Sequence, residues 1–301
     1  MRKLIIKILS VFGLKPLAKR IYRSVSYVSS LRVNGKKILI PHIYGAVCRI
    51  DEPWMSQILK ILFQIRKGAF IDVGVNLGQT LVLVKSIDAD KKYVGFEPNA
   101  SCIFYVEELI KINKFIDSKI IPAGLYTFDG VLTLELYADD ITNSGGSLIQ
   151  NFWEYKNYHV KRSLTVPVFS FETIKNSIDP DISVYTIIKI DVEGAELEVL
   201  QTLSDLINDN KPMIIIEVLS AYSEKNLLRV ERQRKISELL NNMGYKIIKL
   251  FGDKNGHLKS YETIDHFDHN SNPNDCNYIL YHESDTEILE SSLNDHLYRS
   301  K

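Results

Sequence analysis

From Gly68 onward the apolar positions along the chain change rhythm, and the changes repeat. Unbroken apolar runs rich in β-branched residues occur in "GAFIDVG", "KYVGFEP", "KIIPAGLY", "VYTIIKID" and "KPMIIIEVL". Between them stand "QTLVLVKSI", "SCIFYVEELIKIN" and "EGAELEVLQTL", which read as helices. Strand cores with little polar alternation have no solvent face, so the pattern predicts a parallel sheet covered by helices on both sides. Near the end, "ISELLNNMGYKIIKL" reads as a helix passing through Gly244 into a strand, and "NYILYH" as a further strand. Two strands without a long helical crossover between them can pair antiparallel at the sheet edge.

Upstream, "KKILIP" and "GAVCRI" read as short strands, and Asp51-Glu52-Pro53 as a helix start, a capping carboxylate with proline in the first turn. Trp54, Ile58, Ile61, Leu62 and Ile65 share one face of that helix. An insertion interrupts the repeat: "GVLTLELY", "ADDITNSGGSLIQ", "NFWEYKNYH" and "SLTVPVFSFETI". It predicts an extra hairpin and a mobile loop over one end of the sheet, where substrate-binding lids are often found. The polar stretch Asp265 to Asn277 reads as a loop, and no internal repeat is present. The chain divides into a basic N-terminal extension with a short helix and strands (residues 1–50), a main domain (51–285) and a C-terminal tail (286–301).

At 301 residues the chain can bury a sizeable core, and its zero formal net charge hides an uneven layout. Residues 1–50 hold 11 Lys or Arg and no acid, leaving 26 basic against 37 acidic residues over the rest. Within that front, "LIIKILSVFGL" (Leu4 to Leu14) is followed by Lys15, Lys19, Arg20 and Arg23. Such a segment suits an anionic membrane surface or a partner, and equally suits packing on its own domain. It is too short to span a bilayer, and Lys15-Pro16-Leu17-Ala18-Lys19 is a poor cleavage site for a secretory signal. Cys48, Cys102 and Cys276 are odd in number and lack any CxxC pairing, so neither a disulfide framework nor a zinc knuckle is indicated. A cytoplasmic location is expected, with the leader at the inner face of the membrane. No nucleic-acid partner is expected, and nothing in the sequence speaks to oligomeric state.

In a doubly wound sheet, ligands bind beyond the carboxyl ends of the strands. The first such end, "FIDVGVNLGQT", presents Asp72, Gly74, Asn76 and Gly78 as D-x-G-x-x-x-G on a strand-to-helix turn. Glycine there permits a tight turn and close approach of a ligand to the backbone. The second, "GFEP", places Glu97 23 positions after Gly74, the spacing of an acid that accepts hydrogen bonds from ribose hydroxyls. A dinucleotide site prefers G-x-G-x-x-G with no acid before the first glycine, because its pyrophosphate is an anion resting on the helix start. Asp72 stands where it would repel that anion and would favour a sulfonium cation. S-adenosylmethionine is therefore preferred over NAD.

"FIDVGVNLGQT", "GFEPN" and above all "IKIDVEGAELEVL" resemble the FkbM-type methyltransferases, a family of class I S-adenosylmethionine-dependent enzymes. The resemblance runs from about Gly45 to Val218 and more loosely to about His282. Val75 stands where the family commonly has alanine, and "AGLYTFDG" departs from its usual turn after the third strand. The resemblance implies a Rossmann-like α/β fold: a seven-stranded, mostly parallel sheet with helices on both faces and an antiparallel last strand. It further implies methyl transfer, usually to oxygen. Asp72, Gly74, Asn76 and Gly78 would hold the methionine end of the cofactor, Glu97 the ribose, and Asn99 would flank the adenosine.

Asp191 ends the fourth strand of the repeat and Glu193 follows on the turn that opens a helix through Gly194. An acid beside the sulfonium methyl could orient an acceptor hydroxyl or take its proton, so Asp191 and Glu193 are the candidate catalytic residues. Acids at a helix start are also plain caps, which accounts for Glu196 and partly for Glu193. Glu217 is a third strand-tip acid, suited to structural hydrogen bonding or, with Asp191, to a divalent metal; no metal is assigned. Lys189 inside an apolar strand is expected to run its stem along the core and free its ammonium at an edge. Asn143, Ser144, Gly145, Gly146 and Ser147 could form a lid, and Trp153, Tyr155 and Tyr158 a sugar platform or plain packing. His266, His269 and Cys276 have no familiar zinc spacing and read as a solvated loop. The expected function is O-methylation of a glycan or small-molecule hydroxyl; the rivals are an NAD-dependent oxidoreductase and a non-catalytic cofactor-binding scaffold.

Overall fold

The computed structural model describes residues 26–138, 142, 144–153, 158–179, 181–221, 223–267 and 275–299. The leader from Leu4 through Arg23, and Asn143, Tyr155 and His269, lie outside the described residues. In chain order the strands are β1 (Tyr27–Val33), β2 (Lys36–Ile43), β3 (Ala46–Val47), β4 (Ala69–Val73), β5 (Tyr93–Phe96), β6 (Ser118–Ile121), β7 (Gly124–Leu125), β8 (Gly130–Leu136), β9 (Arg162–Phe169), β10 (Tyr185–Ile190), β11 (Met213–Glu217), β12 (Tyr245–Gly252), β13 (Leu258–Ile264) and β14 (Asn277–His282). The helices are α1 (Pro53–Ile65), α2 (Gln79–Ile87), α3 (Ala100–Asn113), α4 (Phe171–Ile178), α5 (Glu196–Thr202), α6 (Ser204–Asn210), α7 (Leu227–Asn242) and α8 (Thr286–Arg299). Among the described residues, no helix is long and apolar enough to cross a membrane.

The main sheet has eight strands in the order β13-β12-β14-β11-β10-β4-β5-β6. From β11 to β6 every neighbouring pair is parallel, whereas β14 is antiparallel to both β11 and β12. The expected sheet of seven with an antiparallel last strand is thus present, with β13 added at its edge. β13 alternates with mostly exposed positions, so its sequence lacks the apolar run that marks the inner strands. Period-two alternation sorts the strand residues onto two faces. Phe70, Ile187 and Ile215 join the core beneath α1, α2, α3 and α8, while Ile71, Ile188 and Ile214 join the core beneath α5, α6 and α7. Asp72 and Lys189, two positions after Phe70 and Ile187 and paired in register, continue the first face as a polar pair.

The chain reverses its direction of travel across the sheet at β4, running first to β5 and β6 and later returning to β10 and β11. That switch point opens a crevice beyond the carboxyl ends of β4 and β10. The insertion forms a small sheet in the order β7-β9-β8, and an antiparallel bridge from Glu135 to Ser147 ties its loop down.

Two expected boundaries are not boundaries of packing. Strands β1–β3 bury Val33, Ile38, Ile40 and Ala46, and Cys48 just after them, in the core of α1–α3. The expected tail from residue 286 is instead helix α8, which packs on α1 and buries Leu289 and Leu293 in the same core. The Tyr105 hydroxyl fastens the N-terminal strands to α3: it accepts from the Cys48 amide at 2.7 Å and donates to the Pro41 carbonyl at 2.7 Å. Tyr105→Phe leaves both buried groups unpaired and is expected to cost about 1–3 kcal/mol in urea denaturation. An unchanged midpoint would contradict that attachment.

Candidate active site

A cavity of about 710 Å³ occupies the crevice. Its lining includes Gly74 and Asn76 from the turn after β4, Glu97 and Asn99 after β5, and Asp191 and Glu193 after β10. Among the described residues its charged lining is mostly carboxyl: Asp51, Glu52, Glu97, Asp191, Glu193 and Glu217, with Arg49 and Lys189 as the basic groups.

The turn after β4 is built for contact between strand ends. Gly74 has φ +91°, and a side chain there would overlap the Asp191 carbonyl oxygen, which locks the two tips together. The Asp191 amide donates to Val73 O at 2.9 Å across the same junction. Glu97 clamps the turn from the far side, its Oε2 accepting the Asn76 amide and its Oε1 the Asn99 amide, each at 2.8 Å. Burial pushes the Glu97 carboxyl up to about 7, with those two amides opposing the rise. Asn99 in turn caps α3, its side chain accepting from the Ser101 amide at 3.0 Å.

Every amide from Gly74 to Gly78 donates within the chain. Gly74 and Val75 bond Phe96 O, Asn76 bonds Glu97, Leu77 bonds Asn76 Oδ1, and Gly78 bonds Val75 O. A pyrophosphate on this turn would find those five donors spent and a carboxylate beside them.

Asp72 and Gly78 stand behind the cavity rather than on its wall. Asp72 is 0% exposed and accepts a hydrogen bond from the Tyr93 hydroxyl. Burial raises its carboxyl, and Lys189 opposes the rise. Gly78, at φ +82°, opens α2, and a side chain there would come within 2.9 Å of Leu109 on α3. Its service is to helix packing.

Lys189 does not reach an edge as expected. Its ammonium stays in the cavity floor, 3.0 Å from Asp191 Oδ2 and 3.5 Å from Asp72 Oδ1, and reaches Gly74 O at 3.5 Å. Burial alone would lower it, but Asp191 and Asp72 more than offset that and hold it above its ordinary value. Asp191 keeps its side chain about one third exposed, at 34%, toward the cavity.

Glu193 sits on the turn at φ +51° with one carboxyl oxygen, Oε2, buried and lacking a hydrogen-bond partner among the described residues. Burial, then Glu217 and Asp191, push its carboxyl well above the usual range. Glu196 behaves as the expected cap, its Oε1 accepting the Gly194 amide at 2.8 Å, and burial lifts it to about 7. Glu217 accepts from Cys276 Sγ at 2.9 Å and is raised to about 8, by burial and then by Asp191.

Glu52 completes the wall. It precedes α1 but makes no side-chain cap, and burial followed by Asp191 raises its carboxyl. Sequence reasoning read it only as part of a helix start; nothing in the chain marks an acid so distant from Asp191 and Glu217 as their neighbour.

These acids set the sign of a pH dependence. A raised carboxyl stabilises the fold while protonated, so its contribution is whole below about pH 4.5 and is lost as pH climbs through the folded values. With Glu196 at about 7 and Glu217 at about 8, thermal stability is expected to fall between about pH 5 and about pH 8. The variant Glu196→Gln/Glu217→Gln should flatten that slope. A wild-type midpoint that rises over the same window would contradict the assignment.

Of the expected lid, Ser144 and Gly146 line the cavity, Gly145 accepts the Trp153 indole N–H at 3.2 Å, and Ser147 holds the bridge to Glu135. Trp153 meets Phe152 and Tyr158 edge-on, and neither Trp153 nor Tyr158 lines the cavity. Phe152 lies so close over Gly194 that a side chain there would come within 2.7 Å of the ring. The insertion is thereby seated on the turn that carries Glu193.

The family model described as the methyltransferase FkbM domain matches residues 72–247, more than half of the chain. "Methyltransferase 1" of Beauveria bassiana (strain ARSEF 2860) is 25% identical in an alignment of 158 residues that covers 49% of this chain and 63% of that protein. Among solved structures, methyltransferase FkbM from Methylobacillus flagellatus KT aligns with a TM-score of 0.44 at 14% identity, covering 71% of this chain and 43% of that one. The O-methyltransferase from Bacillus cereus, in complex with SAH, aligns with a TM-score of 0.41 at 13% identity over 75% of this chain and 78% of its own. The chain spans less than two thirds of the length of the first two of these relatives.

Proposed function

Because the chain belongs to the FkbM methyltransferase family, we propose that it transfers a methyl group from S-adenosylmethionine to a hydroxyl on a small molecule or glycan. Two features support the choice of cofactor: among the described residues the cavity wall carries six carboxyls and two basic groups, and the amides of the glycine turn are already spent. A cation is favoured there because it draws the raised carboxyls of Glu52, Glu97, Glu193 and Glu217 into their charged form, whereas a pyrophosphate would keep them protonated and find no free amides. When bound, S-adenosylmethionine supplies an electrophilic methyl on a sulfonium.

The chain's own residues do the rest in this reading. Gly74 and Asn76 border the methionine end of the cofactor. Glu97 retains a second lone pair on each oxygen beyond its two amide bonds, enough to accept from ribose hydroxyls. Asn99 flanks the adenosine. Asp191, with Lys189 at 3.0 Å behind it, receives the proton of the acceptor hydroxyl as the new oxygen–carbon bond forms. Glu193 orients the acceptor through a neighbouring hydroxyl.

The observation that carries the reading is the open Oε2 of Glu193. A buried carboxyl oxygen without a partner costs about 1–3 kcal/mol, and a second hydroxyl of the bound acceptor, next to the one that reacts, would supply the missing bond. Cell extracts incubated with the chain and methyl-labelled S-adenosylmethionine test it by mass spectrometry. Label on an oxygen of a glycan or small molecule is expected; label only on nitrogen or carbon, or none at all, would overturn the reading.

A further inference from the structure

A second cavity, of about 530 Å³, opens on the other side of the wall made by Glu52 and Glu217. It lies between the start of α1, the end of β12 with the turn that follows, and the start of β14. Asp51, Glu52 and Glu217 line both cavities, so a molecule in the second touches side chains that also face the first. Both volumes fall within the roughly 300–1,000 Å³ of small-molecule sites.

We propose that the second cavity is the acceptor subsite, and that it selects hydroxylated acceptors that are uncharged or carry an amine and rejects those bearing phosphate, sulfate or carboxylate. The inference rests on the methyl-transfer reading and adds to it the charge class of the acceptor.

Position comes first. An acceptor held there presents a hydroxyl past Glu217 toward Asp191, while its remainder stays clear of the space that Glu97 and the glycine turn reserve for the cofactor. The charge follows from the wall: beside the shared Asp51, and beside Glu52 and Glu217, whose raised carboxyls ionise readily next to a cation but not next to an anion, the second cavity adds Asp253 and Asp275, and among the described lining residues Lys254 is the one basic side chain. Asp253 is partly engaged, accepting the Asn255 amide at 2.8 Å and the His257 amide at 3.0 Å. His257 lies 3.8 Å from it, which reduces its weight without cancelling the excess of acids. Moving an anion from water into such a half-enclosed acidic space meets like charge with little screening, whereas an ammonium finds partners on several sides. Phe251, partly exposed, adds apolar surface beside the acids, with the Lys249 ammonium 5.6 Å from its ring centroid, while Trp54 belongs mainly to the core.

The test uses the full chain loaded with S-adenosylhomocysteine and three probes, glucose, glucosamine and glucuronic acid, followed by ligand-observed NMR. Glucose and glucosamine should bind, with glucuronic acid at least about tenfold weaker than glucosamine. The variant Asp253→Asn/Asp275→Asn should narrow that gap to about threefold or less and leave S-adenosylhomocysteine affinity unchanged. Added salt should narrow it in the wild type. Equal binding of the acid, a gap that survives in the variant, or no binding by any of the three would overturn the proposal while the methyl-transfer reading stands. Failure of S-adenosylhomocysteine itself to bind would remove both.

Discussion

Lys189→Met is expected to destabilise the folded chain by about 3–5 kcal/mol, the largest effect of any single substitution around the crevice. Lys189 is the cation that faces Asp72, which is fully buried and has, among the described residues, the Tyr93 hydroxyl as its other side-chain partner. Without the ammonium, Asp72 must stay charged in the core or take up a proton, and either outcome costs stability. Because the penalty comes from the stranded acid, Lys189→Met/Asp72→Asn should recover much of the loss despite carrying a second substitution. Urea denaturation of the two variants decides the matter. A loss below about 1 kcal/mol in the single variant, or a double variant less stable than the single, would show that the pair does not hold the two strand tips.

Asp191→Asn is expected to cut methyl transfer by about a hundredfold to ten-thousandfold, the usual range for removing a proton acceptor from the reaction. The amide is close in size and keeps an oxygen toward Lys189, so the strand tip should hold its shape, and S-adenosylhomocysteine affinity should stay within about threefold of wild type. The loss is then in the chemical step, because an amide cannot take the hydroxyl proton. Incorporation of labelled methyl into the extract product, measured beside cofactor affinity, separates the two effects. Full incorporation by Asp191→Asn would remove it from the mechanism, and a parallel loss of cofactor affinity would make it a binding residue instead.

The legible parts of the fold are those with a one-dimensional signal. β4, β10 and β11 are buried on both faces, and that burial is written as apolar runs with little polar alternation, interrupted by Asp72 and Lys189. Glu97, Asp191 and Glu217 could be singled out because each ends or follows such a run. β13 and α8 escaped for opposite reasons. The first is a polar edge whose pairing comes from β12, and the second is a helix with only a narrow apolar stripe of Leu289, Leu293 and Leu297.

The tertiary pairings were not legible. Lys189 read as an oddity because the acid that explains it, Asp72, is its neighbour only through the register of β4 and β10. Glu52 read as a helix start because its partners lie across the crevice. Asp72 itself illustrates the difference: its charge was expected to face the cofactor, and instead it anchors Lys189 from behind the wall. The carboxylate character of the cavity survives that shift because Glu52, Glu193 and Glu217 supply it.

The central claim is that this carboxylate-lined crevice takes an adenosyl sulfonium cofactor and refuses a dinucleotide. Isothermal titration of the full chain with S-adenosylhomocysteine and with NAD, repeated on Glu97→Ala, tests it most directly. The account predicts saturable heat with S-adenosylhomocysteine, weakened in Glu97→Ala, and none with NAD. Saturable binding of NAD with none of S-adenosylhomocysteine would contradict it.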